Sequence, residues 1–273
     1  MFKSILHPNS LRASDDKAFD HALALAVNFR SALSIIHVDE DKKEEHEWNR
    51  FPAVRQRLFQ WKLLNEDASQ ADVEKRLGVS IKKIDAKYDN PVEATLGFLE
   101  KESAELVVMS NGGRKGMKQW LSPSVSEPIA RKADIPCLFI PDGARGLVAP
   151  DSALLQLRKI LIPVTAKPSH WPAIEIVSKL CEALEIDDPE ISCLHVGKDY
   201  PDLSHRSAQK FEIKMAEGDV AEAICKEAES VDLVVMVTEG HTGILDAIMG
   251  STTEQVIRKS PCPVLTVPSM GSE

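Results

Sequence analysis

A glycine-containing segment in the second half of the chain has the residue types that favour phosphate binding. Gly240, Gly243 and Gly250 follow a short apolar run, and Gly250 is followed at once by Ser251. Glycines leave room for backbone N–H groups to approach a phosphate closely. The spacing of Ser251 and Glu254 is that of a capping box, which predicts that a helix begins here. Because the first N–H groups of a helix have no partner within it, the segment predicts an anion site.

Other catalytic chemistry has weaker support. No serine lies in a G-x-S-x-G elbow, no GxxxxGK[ST] loop occurs, and no histidines have HExxH or HxxH spacing. The five cysteines form no CxxC pair, which argues against a zinc site and a disulfide framework. Cys137 and Cys262 are interpreted as small core residues. His37 and His195 end equivalent strands, which favours a shared structural role. His241, inside the glycine segment, is either a phosphate contact or a solvated loop residue.

The chain consists of two copies of one domain. The sequence of residues 104–109 resembles that of residues 231–236, at an offset of 127. Residues 3–8 likewise resemble residues 158–163, at an offset of 155. The second copy is therefore shorter, and a charged segment at 44–77, expected to be helical, has no counterpart in it. The predicted organisation is domain 1 at 1–142, a linker at 143–157 and domain 2 at 158–273.

Each copy alternates short apolar strands with amphipathic helices, which predicts an α/β fold with a parallel sheet. Ser14 is expected to cap the first helix, with Asp15 and Asp16 as acids in its first turn. Residues 106–109 and 233–237 are continuous apolar runs, typical of strands buried on both faces. The strands are expected at 5–6, 34–38, 80–84, 106–109 and 136–140 in copy one, and at 160–162, 191–196, 211–215, 233–237 and 264–267 in copy two.

Composition and charge exclude several classes of partner. Apolar residues make up 43% of the chain and charged residues 27%, as in ordinary globular proteins. The net charge of −9 argues against binding along a nucleic acid. No apolar run reaches the roughly 18–20 residues that a membrane helix needs. The N-terminus lacks the apolar core of a signal peptide. A cytoplasmic protein without nucleic-acid or membrane partners is expected.

These features together resemble the universal stress protein family, in particular its tandem members with two domains in one chain. The resemblance rests on the Ile-Leu-x-Pro start of each copy, the second strand ending in His-Val, the segment from Gly218 to Ile224, the glycine segment, and the closing segment from Cys262 to Pro268. It implies two five-stranded, Rossmann-like (HUP-type) sandwich domains. It also implies that their final strands pair, with 138–140 near 265–267, to form an internal pseudo-dimer.

The family's nucleotide-binding pattern is G-x2-G-x9-G-[ST], with an acidic residue just after the first strand. In copy two, Gly240, Gly250 and Ser251 match this pattern, whereas Val237 replaces the first glycine and Thr165 replaces the acid. Transferred residue by residue, the resemblance implies a nucleotide site in copy two at Thr165, Val196, Val237, Gly240, Gly250, Ser251 and Thr252.

Copy one departs further from the pattern. Gly113 and Ser124 match, but Ser10 replaces the acid, Ser110 the first glycine and Pro123 the last glycine. Proline has no N–H to offer a phosphate, and Pro128 lies inside the helix that would follow. Copy one is therefore expected not to bind a nucleotide.

Three functions remain open. The first is a stress-response regulator that binds ATP, ADP or AMP in domain 2 without appreciable catalysis. The second is a nucleotide-free adaptor that acts through its surfaces, and the third, with least support, is a slow ATPase. No metal site is expected. Residues 39–57 form either a solvated face or a protein-binding surface with Trp48 and Trp61 as anchors. A further homodimer also remains open.

Overall fold

The computed structural model describes residues 1–39, 48–88, 90–111, 128–129, 132–165, 168–201, 211, 213–238 and 252–269. The chain divides into two compact units. Unit 1 consists of Met1–Ile129 and Val148–Gln156, and unit 2 of Ala130–Leu147 and Leu157–Glu273. Strands and helices alternate in both units, so the α/β fold class is confirmed.

Unit 1 contains a parallel sheet in the order β3-β2-β1-β4. Strand β4 is buried along its whole length, as the continuous apolar run predicts. Its elements are β1 (Ser4–Pro8), α1 (Asp16–Phe29), β2 (Ala32–Asp39), α2 (Val54–Gln60), α3 (Gln70–Leu77), β3 (Ile81–Lys87), α4 (Pro91–Glu102) and β4 (Leu106–Asn111).

The segment between β2 and β3 differs from the single long helix predicted at 44–77. Its described part contains two short helices, α2 and α3, because the chain turns after Gln60 and Lys62 adopts a positive φ of 60°. Ser69 then restarts a helix with a capping box. The apolar residues spaced along this segment are nevertheless buried, at Phe51, Val54, Leu58, Trp61 and Leu64. Trp61 is only 3% exposed, so its interpretation as a surface anchor is wrong.

Unit 2 contains the order β5-β10-β9-β6-β7-β8, in which only β5 runs antiparallel to its neighbour. Leu138 of β5 lies opposite Leu265 of β10, so the predicted pairing of the final strands is confirmed. The elements are β5 (Cys137–Pro141), β6 (Lys159–Pro163), α5 (Trp171–Ala183), β7 (Glu190–Val196), β8 (Ile213–Ala216), α6 (Val220–Glu227), β9 (Leu233–Thr238), α7 (Thr252–Lys259) and β10 (Val264–Pro268).

The cysteines behave as core residues. All five are free, four are buried, and Cys225 is half-buried. Burial raises the pKa of the Cys137 thiol to about 12 and that of Cys262 to about 11. Such thiols are protonated and unreactive at neutral pH. Among the helices in the described part of the chain, none has the length and apolar character to cross a membrane.

Candidate functional site

The strand order of each unit creates one place, at the carboxyl ends of the strands, where a ligand could bind. In unit 1, β1 lies between β2 and β4, and in unit 2, β6 lies between β7 and β9. At such a switch point the chain leaves the strands in opposite directions, and a crevice forms beyond their carboxyl ends. The β1–β4 ladder ends at Leu6 and Val107, and the β6–β9 ladder ends at Leu161 and Val234. We call these places the first and the second crevice.

Polar side chains bridge the first crevice. The Nδ1 atom of His7 lies 2.8 Å from the carbonyl oxygen of Val108, and because a carbonyl only accepts, Nδ1 carries the hydrogen. His7 Nε2 therefore accepts from the side-chain amide of Asn9, at 2.9 Å. Burial lowers the pKa of His7 despite the hydrogen bond to Val108 and the nearby Asp15, so the imidazole is neutral.

Asp15 completes this polar cluster. The residue is 1% exposed and its carboxylate accepts hydrogen bonds from Ser10 N at 2.6 Å, from Ser10 Oγ at 2.5 Å and from Ser110 Oγ. One carboxylate thus links the loop after β1 to the end of β4. We call His7, Asn9, Ser10, Asp15 and Ser110 the Asp15 cluster.

The position of Asp15 corrects two expectations from the sequence. Ser14 does not cap α1, because the helix begins at Asp16 after a 3₁₀ turn over Ala13–Asp15. Asp15 precedes the helix but makes no capping hydrogen bond with its side chain, which turns into the crevice instead. Asp15 therefore supplies a carboxylate close to Ser10, where the family pattern has its acid, but that carboxylate is already engaged by two serines.

Three of these polar residues have apolar counterparts in the second crevice. The repeat offsets place Ile162 where copy one has His7, Val164 where it has Asn9, and Val237 where it has Ser110. Ile162 and Val164 are buried, and Val237 is half-buried. Thr165 is the counterpart of Ser10, and His170 is the counterpart of Asp15.

His170 lies at the start of α5 and is buried, like Asp15 at the start of α1. Its backbone carbonyl accepts from Ala173 and Ile174, and its side chain does not cap the helix. A carboxylate in copy one is thus replaced by an imidazole in copy two. Sequence reasoning did not single out this exchange, although the 155-residue offset between the copies contains the signal.

A pair of equivalent histidines has the same role in both copies. His37 Nδ1 donates to the carbonyl of Asn9 and His195 Nδ1 to the carbonyl of Val164, each at 2.9 Å. Both bonds tie the end of the second strand to the loop after the first. The structural role predicted for these histidines is therefore confirmed. In copy two the His195 ring lies so close to Gly197 that an added Cβ would come within 2.7 Å of Nε2.

Four of the residues predicted for the nucleotide site lie in the described part of the chain. Thr165 is exposed just beyond β6, Val196 is the half-buried last residue of β7, and Val237 is in β9. Thr252 begins α7, where the sequence predicts a helix start. Gly240, Gly250 and Ser251 lie outside the described residues, as do Gly113, Pro123 and Ser124 of copy one.

The repeat offsets and the strand order assign Ile162, Val164, Thr165 and Val237 to the second crevice, with Val196 at the end of β7 and His170 before α5. Parallel strands bring their carboxyl ends to one edge, so the ends of β6, β7 and β9 share that edge. Apolar side chains at such an edge suit a planar ring, and a helix N-terminus suits a phosphate. Within the described residues, no three His, Cys, Asp or Glu side chains are grouped to hold a metal ion.

Comparisons with known proteins agree with this architecture. The model of the Universal stress protein family matches residues 1–141 and 202–268. The chain is 42% identical over 59 residues to universal stress protein Slr1230 of Synechocystis, a match that covers 21% of each protein. It is 43% identical over 60 residues to universal stress protein MJ0531 of Methanocaldococcus jannaschii, which covers 21% of this chain and 35% of the relative.

Two solved structures resemble nearly the whole chain. A universal stress protein from Archaeoglobus fulgidus has a TM-score of 0.63 and 18% identity, and 98% of each chain is covered. A protein of unknown function from Pseudomonas aeruginosa has a TM-score of 0.69 and 16% identity, with 98% of this chain and 93% of that chain covered. At these identities the likeness concerns the fold.

Proposed function

This chain belongs to the universal stress protein family, and on that premise we propose that it is a stress-response regulator that binds an adenine nucleotide in its second copy. The first copy does not bind the nucleotide, and the bound nucleotide is not appreciably hydrolysed. The observation that carries the proposal is the exchange of Asp15 for His170 between the crevices of the two copies.

The first crevice is closed to a nucleotide by its own side chains. Asp15 takes up the donors that Ser10 and Ser110 could otherwise offer a ligand. His7 joins the diverging ends of β1 and β4 through the carbonyl of Val108. A nucleotide would have to break these hydrogen bonds and place its phosphates near a carboxylate, and each buried polar group left without a partner costs about 1–3 kcal/mol.

The second crevice is mainly apolar, whereas the first is polar. Ile162, Val164, Val196 and Val237 provide apolar walls that are free of a competing carboxylate. Burying a purine ring against such side chains is favourable, at about 25 cal/mol per Å² of apolar surface. Thr165, exposed at the mouth, offers a hydroxyl in place of the family's acid. Because Thr165 replaces the acid, one contact with the nucleotide is lost, and the affinity for the nucleotide is expected to be low.

The phosphates are assigned to the glycine segment and the start of α7. Gly240, Gly250 and Ser251 are proposed to offer backbone N–H groups, and the N-terminus of α7, which begins at Thr252, is proposed to face the same phosphates. No carboxylate among the described residues of the second crevice could hold Mg²⁺ or activate a water molecule. We therefore propose binding without turnover.

A cheap first test is mass spectrometry of small molecules released from the denatured, freshly purified protein. ATP, ADP or AMP should be recovered, and calorimetric titration of the emptied protein with ATP should give one site per chain. A protein that carries no nucleotide and gives no heat with ATP would support the nucleotide-free adaptor instead. Steady accumulation of ADP and phosphate, lost in a Gly250→Pro variant, would support the slow ATPase.

A further inference from the structure

The segment between β2 and β3, which is longer than its counterpart in copy two, forms a groove. β2 ends at Asp39 and β3 begins at Ile81, whereas β7 ends at Val196 and β8 already begins at Ile213. The groove has a volume of about 740 Å³ and is lined by α2, the turn before it and one face of β3. A volume of this size is ordinary for a small-molecule site. We call it the insert groove.

Aromatic rings form one side of the insert groove. Trp48 and Phe51 stack with ring centroids 5.4 Å apart and an interplanar angle of 29°. Trp48 is 48% exposed, and Phe59, which also lines the groove, is 43% exposed. Phe51 is buried, so Trp48 is held against a fixed ring. The exposed parts of these two aromatic side chains provide a surface on which a planar ring can stack.

Positive charge forms the other side. Arg55 and Lys83 both line the groove, and the Lys83 ammonium lies 5.8 Å from the centroid of Phe51. Burial lowers the pKa of Lys83, and the neighbouring charge of Arg55 lowers it further. Glu66 is the acidic residue of the lining, yet within the described residues no carboxylate forms an ion pair with either cation. Two neighbouring cations that form no ion pair with a described carboxylate attract an anion.

The groove is fixed to the body of unit 1. Arg57 Nε lies 2.8 Å from Asp20 Oδ1 and so ties α2 to α1. Arg55 donates from Nη1 to the carbonyl of Ala68, at 3.1 Å, which keeps its guanidinium at the groove. A site that exists before its ligand arrives loses little entropy when the ligand binds.

We infer that the insert groove binds a small planar aromatic anion, with its ring stacked on Trp48 and its carboxylate or comparable anionic group between Arg55 and Lys83. This site lies on the insert rather than at a switch point of the sheet, and it is independent of nucleotide binding in copy two. Stacking supplies attraction for any flat ring, and the two cations select rings that carry a negative charge.

The test uses two probes that differ only in charge. Calorimetric titration of the full chain is carried out with 2-naphthoate and with the uncharged 2-naphthamide. Naphthoate should bind in the micromolar to millimolar range, and naphthamide at least tenfold more weakly. Gly250→Pro, which is expected to abolish ATP binding in copy two, should leave naphthoate binding unchanged, because the two sites are separate. Loss of naphthoate binding in Gly250→Pro would overturn the separation of the sites.

Three variants locate the site. Lys83→Met should weaken naphthoate about tenfold and leave naphthamide unchanged, whereas Trp48→Leu should weaken both probes alike. The matched control is Lys82→Met, because Lys82 is the next residue on β3, faces the other side and pairs with Glu102 at 2.6 Å. Equal binding of both probes by the native protein, no binding of naphthoate, or an equal loss with Lys82→Met would each overturn the proposal. The comparison of the two probes needs no variant, so a misfolded variant does not remove the test.

Discussion

Asp15 and His170 occupy the same position in the two copies of this protein. Each is the buried residue immediately before the first helix of its copy, and the offset between them equals the offset between β1 and β6. Asp15 accepts hydrogen bonds from the hydroxyl groups of Ser10 and Ser110, whereas copy two has Thr165 and Val237 at those two positions. This exchange is the basis on which we propose that the duplicated fold binds a nucleotide in one copy and not in the other.

The Asp15 cluster should contribute strongly to the stability of unit 1. Asp15→Ala removes a buried acceptor of three hydrogen bonds and leaves the hydroxyls of Ser10 and Ser110 without their partner. We expect the free energy of unfolding to fall by roughly 2–4 kcal/mol. The matched control is Asp16→Ala, at an exposed position one residue along, which should cost less than about 1 kcal/mol. Urea denaturation measures both, and equal losses would show that the cluster is energetically unimportant.

Rebuilding the closed crevice in copy two should remove nucleotide binding. His170→Asp together with Val237→Ser places a carboxylate and a hydroxyl where copy one has Asp15 and Ser110. We expect ATP affinity to fall at least tenfold, because the new carboxylate opposes the phosphates. Lys179→Asp adds negative charge at an exposed site on the same helix and should leave the affinity within twofold. If the double variant bound ATP like the native protein, the exchange would not be what separates the two copies.

His21 should make the protein less stable in mild acid. Burial lowers its pKa from 6.5 to about 4, against the opposing effect of its 2.6 Å hydrogen bond to the carbonyl of Lys17. Between these two pKa values the unfolded chain binds more protons than the folded one, so the free energy of unfolding falls as pH falls through this range. The contribution is roughly 2 kcal/mol between pH 7 and pH 5. Urea titrations at several pH values should show a shallower dependence in His21→Gln, and an unchanged slope would exclude His21 as a cause.

Two glycine substitutions should change stability in opposite directions. A Cβ at Gly197 would meet His195 Nε2 at 2.7 Å and displace the ring that bonds to Val164, so Gly197→Ala should cost about 1 kcal/mol. Gly97 lies inside α4 with no atom within 4 Å of an added Cβ, so Gly97→Ala should raise stability by about 0.5–1 kcal/mol. Thermal melts of both variants provide the check, and a stabilising Gly197→Ala would mean that the His195 ring moves away without cost.

The strands and their pairing were accessible from the sequence because they depend on local patterns. The continuous apolar runs predicted β4 and β9, and the family resemblance implied that Leu138 and Leu265 would lie close together. The start of α4 also follows from local residue types, because Asn90 caps the helix and Pro91 is its first residue. These features are set by residues that are close in the chain or repeated along it.

The features that the sequence did not predict depend on contacts between distant residues. Asp15 looked like an acid favoured by the first turn of a helix, and only its contact with Ser110, far along the chain, turns it into the crevice. The segment 44–77 was predicted as one helix, and its apolar pattern does not reveal the turn after α2 at Lys62. Position in an amphipathic pattern indicates which residues face a core, but not which partners a buried polar group will find.

The most direct test of the central claim is calorimetric titration of ATP against the native chain, Gly250→Pro and Ser124→Ala. Proline removes an N–H from the proposed phosphate cradle and fixes the backbone as Pro123 does in copy one, so Gly250→Pro should abolish binding. Ser124→Ala should bind one ATP per chain with native affinity. Loss of binding with Ser124→Ala alone, or two ATP molecules bound per native chain, would contradict the assignment of the nucleotide to copy two.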